Sequence, residues 1–293
     1  MIVNSKSESG ELSESMPHNH SKKKKYRYIY GPVSSWRLGR SLGIDPVAAS
    51  GKVCNFDCIY CQLGRTHEFI RDRKIFVPTA ELIAEIKSLP GDLEIDYITF
   101  SGRGEPTLAK NLGSMIRAVK KIRREKIAVI TNSSLIYDHE VMDDLLLADF
   151  IVAKLDACSH ELMCLVDRAE SGTHFSVIVD GLRDFKMLFR GKLALQIMFI
   201  PQNKEFAQKI AQLADVIRPD EIQLNTPLRP SAVRPLTPSE MRRIKSFFEA
   251  KELPVISVYD QESLDVNPFD ERQTIKRHGN YKKNRITQKG GVS

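Results

Sequence analysis

Cysteine is scarce in this chain, with five in 293 residues. That is too few for a disulfide scaffold and points to a cytoplasmic, reducing setting in which free thiolates can hold metal. No run of 18 or more apolar residues occurs, which excludes a membrane-spanning helix. The first 25 residues (MIVNSKSESGELSESMPHNHSKKKK) lack the apolar segment of a signal peptide, and their three Glu argue against a transit peptide. They are expected to form a disordered leader. The body of the chain also lacks any excess of basic residues. The formal charge is +7, but residues 1 to 25 carry +2 and residues 271 to 293 carry +6, which leaves −1 between them. The basic ends can hold a phosphate backbone, RNA included, without reading bases; the plainer reading is a solvated tail.

What is present is 42% apolar content, enough to bury one sizeable core. Residues 26 to 262 are expected to form one catalytic domain, with a basic C-terminal extension over 263 to 293. Strand candidates lie at 40 to 47, 95 to 101, 126 to 131, 149 to 156, 193 to 200 and 221 to 227, and amphipathic helical patterns fall between them. "TPSEMRRIKSFFEA" carries a capping box, with Thr237 as N-cap and Glu240 three residues on. Six β/α units and one further strand in "LPVISVY" predict an α/β fold, either a partial (β/α)6 TIM-like barrel or a doubly wound sheet. In both, functional residues belong beyond the carboxyl ends of the strands.

Three of the five cysteines fall within eight residues, at Cys54, Cys58 and Cys61, just after the first strand candidate. The odd count and C-x3-C-x2-C spacing suggest a metal rather than a disulfide. His67 offers a fourth ligand for zinc, although the spacing matches no common finger. An iron–sulfur cube normally takes four cysteines, so three would leave one iron open for chemistry. After the second strand candidate comes "TFSGRGEPTL". Gly102 and Gly104 let backbone approach a ligand, and Glu105 can pair with an ammonium group. The turn alone would also serve as a tight βα connection.

Together, the C-x3-C-x2-C with Tyr60 before its last cysteine and the Gly-x-Gly-Glu-Pro turn resemble the radical S-adenosylmethionine (SAM) superfamily. Within it, "YIYGPVSSWRLGRSLGID" and "CNFDCIYCQLGRT" resemble a branch of Fe–S oxidoreductases similar to the tRNA wyosine-base synthases. The resemblance implies a [4Fe-4S] cluster on Cys54, Cys58 and Cys61, bound SAM, its reductive cleavage to a 5'-deoxyadenosyl radical, and hydrogen abstraction inside a partial barrel. It also implies a low-potential flavodoxin or ferredoxin as electron donor. The wyosine synthases carry further upstream cysteines that this chain lacks, Trp36 stands where the branch often has a basic residue, and Arg103 replaces the small residue of Gly-Gly-Glu-Pro.

On that resemblance Gly102, Gly104 and Glu105 are assigned to the methionyl amine, and Tyr60 to the adenine side of SAM or to shielding the cluster. Asn132, Ser133 and Asp156, at carboxyl ends of strands, are candidates for ribose or carboxylate contacts, against ordinary turn and cap chemistry. Lys154 shares a strand face with Asp156. It is read as gripping an anionic substrate or forming a Schiff base, against an interior ion pair with Asp156. Gln196 and Asn225 are weaker candidates, with buried polar satisfaction as the alternative. Cys158 and Cys164 are expected to pack as small apolar residues. The leading function is a radical SAM oxidoreductase or transferase with RNA as the first substrate class. The alternatives are a radical activase of a partner protein and a non-catalytic Fe–S electron carrier.

Overall fold

The computed structural model describes residues 26–66, 69–260 and 264–278; the expected leader, His67 and the basic residues beyond 278 lie outside them. The predicted strands form as β2 (Gly39–Ile44), β3 (Tyr97–Phe100), β4 (Lys126–Thr131), β5 (Phe150–Lys154), β6 (Lys192–Met198) and β7 (Glu221–Asn225), with β8 (Val255–Ser257) as the further one. All seven run parallel, each bonded to the next in sequence order. That order settles the fold. A doubly wound sheet reverses its strand order at a switch point, whereas this one never does and curls into a partial barrel.

Three elements among the described residues escape the periodicity, the last of them a C-terminal helix. β1 (Ile29–Ser35) pairs antiparallel with β2, its pattern interrupted by Gly31 and Pro32. α4 (His160–Val166) is a seven-residue helix held at its start by the Ser159 hydroxyl, which accepts from Leu162 N at 3.2 Å. The other helices, α1 (Thr79–Lys87), α2 (Leu112–Lys120), α3 (His139–Leu145), α5 (Phe175–Leu188), α6 (Ala207–Ile217) and α7 (Pro238–Glu249), connect the strands. α7 starts at the capping box: Thr237 Oγ1 accepts from Glu240 N at 3.2 Å, and Glu240 accepts from Thr237 N at 2.8 Å.

Alternation along the strands gives the sheet two unlike faces. Phe100, Val129, Ile151, Leu195 and Leu224 are wholly buried in the main core with the helices; each such side chain stabilises the fold by about 1.5–3 kcal/mol. The opposite, concave face carries a small apolar layer of Leu38, Ala128, Phe150, Val152 and Ala194. Beyond that layer it turns polar, with Lys154, Gln196 and Gln223 side by side in register.

The C-terminal stretch is more than a solvated tail. Within it α8 (Glu271–His278) docks on β1: Gly31 N donates to Thr274 Oγ1 at 3.0 Å, and Phe269 N donates to Gly31 O at 2.8 Å. Arg277 Nε reaches the wholly buried Asp45 at 2.9 Å. Part of the basicity counted for this extension is therefore internal.

Candidate functional site

Cys54, Cys58 and Cys61 lie on the loop that connects β2 to α1, all as free thiols. The loop is laced to the Gly-x-Gly-Glu-Pro turn: Val53 N donates to Arg103 O and Glu105 N donates to Val53 O, both at 2.9 Å. A Cβ on Gly104 would stand 1.5 Å from Val53 O, and one on Gly102, whose φ is +141°, would stand 2.5 Å from Asp45 Cγ. Both glycines are therefore required by close packing of the cysteine loop and of Asp45. Arg103, the departure within the motif, donates to Ala49 O and Ser50 O at 2.8 Å and so ties the turn to the start of the same loop. On the far side Asp57 N and Ile59 N each donate at 3.0 Å, to Asp167 O and Val166 O at the end of α4.

Glu105 is buried, and Thr107 N, Thr107 Oγ1 and Thr131 Oγ1 donate to its Oε1 at 3.0, 2.7 and 2.6 Å. Asn132 N donates to Oε2 at 2.6 Å. The carboxylate thus clamps the turn to the end of β4. Burial raises its pKa, and these four hydrogen bonds oppose the rise. Asn132 and Ser133 continue the clamp. Asn132 Nδ2 bonds Asn55 Oδ1 at 2.8 Å and faces Cys54 Sγ at 3.8 Å. Ser133, with φ at +67°, donates to Lys154 O at 2.9 Å. Asn132 and Ser133 thus both tie this turn to its neighbours, with Asn132 also facing the first cysteine.

A second polar knot joins Tyr60, Lys154, Asp156 and Asp167. The Tyr60 hydroxyl donates to Asp156 and, at 3.1 Å, to Asp167, and it accepts from Lys154. Lys154 Nζ lies 3.0 Å from Asp156 and 4.4 Å from the Tyr60 ring centre. Met198 N donates to Asp156 at 2.6 Å. Burial would lower the Lys154 pKa, but Asp156, Cys58 and Asp167 outweigh it and hold it above the ordinary value. A Schiff base needs a free amine; in this arrangement Lys154 Nζ is paired with Asp156, the interior ion pair of the plainer reading. Asp167 is raised, first by burial and then by Asp156. Gln196 is buried on the concave face, and the half-buried Asn225 accepts through Oδ1 from Thr226 N at 2.9 Å. Cys158 is half-buried against the core, whereas Cys164 is exposed and lies 3.6 Å from His160 Nε2, so apolar packing does not describe it. Asp167 and Asn55 were not expected from sequence. No local pattern marks them, since their partners lie far along the chain.

The donor set suits a cluster. Two N–H groups face Cys54 Sγ, from Phe56 N at 3.4 Å and Asn132 Nδ2 at 3.8 Å, the type of contact that tunes iron–sulfur sites. Burial pushes the Cys54 thiol up to about 11 and the Cys58 thiol well above its ordinary value, so both would release a proton on taking iron. Among the described residues no three His, Cys, Asp or Glu side chains converge as a single-ion site would require. A cube offers a separate iron to each thiolate, so its three ligands need not meet at one point.

Seven parallel strands in sequence order, with three free thiols and a glycine turn beyond their carboxyl ends, define a partial-barrel protein of iron–sulfur type. The Radical SAM superfamily model matches residues 50–214, more than half of the chain, and the chain belongs to that superfamily. Its cofactors are a [4Fe-4S] cluster and SAM, and its chemistry is SAM-dependent and radical. A UPF0026 protein of Synechocystis sp. is 41% identical over 207 residues, which cover 70% of this chain and 77% of that one. The GTPase Obg of Brachyspira hyodysenteriae is 36% identical over 90% of this chain, which spans 41% of that longer protein. Among solved structures, a radical SAM methyltransferase from Sphaerobacter thermophilus superposes with a TM-score of 0.58 at 14% identity, over 74% of this chain and 65% of its own. Archaeal TYW1 superposes with a TM-score of 0.50 at 16% identity over 72% of each chain. At such identities the likeness is one of fold. Among the described residues no helix is long and apolar enough to cross a membrane.

Proposed function

We propose that this chain is a radical SAM enzyme that abstracts hydrogen from a substrate held on the concave face of the barrel, with RNA as the first substrate class to test. The observation that carries the reading is the pair of 2.9 Å hydrogen bonds between Val53 and the turn residues Arg103 and Glu105, which fasten the two motifs into one site. When bound, the cluster and SAM supply one-electron cleavage to methionine and a 5'-deoxyadenosyl radical. Cys54, Cys58 and Cys61 would each hold one iron and leave the fourth to SAM. Gly102 to Glu105 would hold the methionyl amine through their backbone, because Glu105 is already engaged by four donors. Asn132 would donate to the Cys54 thiolate. Lys154, fixed by Asp156 and Tyr60, would act as a permanent cation beside the site rather than as a nucleophile. The electron would come from a flavodoxin or ferredoxin.

An electron carrier has no use for a glycine turn locked to its cysteine loop, so the enzyme reading is preferred to the carrier. The test is anaerobic reconstitution with iron and sulfide, then SAM and dithionite, with 5'-deoxyadenosine measured by mass spectrometry. Wild type is expected to form it and Cys58→Ala to form none. A complete cluster with no cleavage, with or without added RNA, would overturn the proposal.

A further inference from the structure

Among the described residues, two arginines and a histidine lie within electrostatic reach of one another, and no acid is hydrogen-bonded to any of them. Arg37 lies in the β1–β2 turn next to Leu38, which packs in the concave apolar layer. Its guanidinium stacks on Trp36 at 5.0 Å, and its Nε and Nη1 are buried without a hydrogen-bond partner. Arg229, in the loop after β7, donates through Nη1 to Gln62 at 2.9 Å and approaches His278 Nε2 through Nη2 at 2.6 Å. Gln62 directly follows Cys61, so this arginine borders the cluster loop. An arginine only donates, so His278 Nε2 accepts and the ring proton sits on Nδ1. That Nδ1 is also buried and unpartnered.

Every unsatisfied atom in this group is therefore a donor, and what the group lacks is an acceptor. Buried polar groups are almost always satisfied, and cations are buried with counter-charge. Asp45 does not supply it: its Oδ2 pairs with Arg277 at 2.9 Å, and its Oδ1 makes no hydrogen bond to Arg37, Arg229 or His278. Burial lowers Arg37 to about 10, with Arg229 adding to the effect, and burial lowers Arg229 to about 10; no carboxylate opposes either shift. His278 is depressed by burial, then by Arg229 and Arg37.

We infer that Arg37, Arg229 and His278 form a phosphate-binding subsite for the substrate, beside the cluster loop. The inference deepens the proposed radical function by naming a substrate class: a molecule that presents a phosphate or phosphodiester to the concave face. SAM is a poor occupant, since its sulfonium and ammonium give it a net positive charge and its single carboxylate would face two guanidinium groups. Arginine pairs suit phosphate because their planar forks match its oxygens bidentately. The phosphate can belong to a small phosphorylated metabolite or to an RNA strand.

Binding is measured on the full reconstituted chain, without SAM turnover, so a failed radical reaction does not affect the result. The probes are inorganic triphosphate and a fluorescent ten-nucleotide single-stranded RNA, at two salt concentrations, with SAM binding followed separately by equilibrium dialysis. Arg37→Gln and Arg229→Gln are expected to weaken the probe that binds by at least about tenfold. Arg37→Lys should lose less than Arg37→Gln, and Arg242→Gln on α7 should lose nothing. Melting temperature and cluster absorbance verify that each variant is folded. Binding of triphosphate alone supports the inference with a small phosphorylated substrate. Salt-sensitive RNA binding that is lost in the same variants supports it with a phosphodiester. No binding of either probe, or equal binding in all variants, overturns it. So does a loss confined to SAM, which would give these cations to the cofactor carboxylate.

Discussion

Replacing Gly104 by alanine tests whether the bridge between the two motifs sets the position of the first cysteine. The new Cβ would lie 1.5 Å from Val53 O and 2.5 Å from Val53 C. Ordinary contacts need about 3.2 Å or more, so the strands of this bridge must part by roughly 1.5–2 Å. That breaks the Val53 N to Arg103 O and Glu105 N to Val53 O bonds, both 2.9 Å. Two backbone hydrogen bonds lost in a buried setting, with some of their groups left unpaired, cost about 2–4 kcal/mol. For a domain of this size each kcal/mol lowers the melting temperature by roughly 2–4 °C. Cys54 follows Val53 directly and must move with it, away from the Asn132 amide at 3.8 Å. Iron and sulfide per chain after anaerobic reconstitution, together with a thermal melt, should both fall in Gly104→Ala. Gly51→Ala is the matched control, because a Cβ at Gly51, on the same loop, meets nothing within 4 Å. Wild-type iron content and an unchanged melt in Gly104→Ala would refute the reasoning and show that the loop has slack.

Glu105→Gln keeps an acceptor for Thr107 and Thr131 but turns an amide NH2 toward Asn132 N–H, so a loss of about 1–3 kcal/mol is expected in urea denaturation; an unchanged midpoint would contradict the clamp. Lys154→Met leaves the buried Asp156 without its cation and should cost about 3–5 kcal/mol. Adding Asp156→Asn should restore part of that loss, whereas strictly additive losses would mean the pair is not coupled. Arg277→Met strips the counter-ion from Asp45, whose side chain is 0% exposed. It should release α8 and bring rapid proteolysis near residue 271; unchanged protection of the Thr274 amide in hydrogen exchange would show that α8 is held by other contacts.

Local periodicity was enough for most elements of the barrel, because strands and amphipathic helices write their own burial into spacings of two and three to four residues. The choice between barrel and doubly wound sheet was not local. It depends on which strand edges pair, as in the Lys154, Gln196 and Gln223 row, and no residue spacing encodes that. The same division runs through the site. The cysteines and the glycine turn are each contiguous, and alternation placed Lys154 and Asp156 on one face, where their groups lie 3.0 Å apart. What sequence could not supply were the partners of these residues: Asp167 reaches Tyr60 from 107 positions away, and Arg277 reaches Asp45 from 232. The Arg103 departure from the motif makes the point in reverse. As a letter it weakened the match, yet in the fold its guanidinium spans to Ala49 O and Ser50 O and adds a tie between the same two loops that the glycines bring together. A substitution inside a motif therefore has to be judged by what the new side chain can reach, and here it reaches the start of the loop that the motif exists to hold.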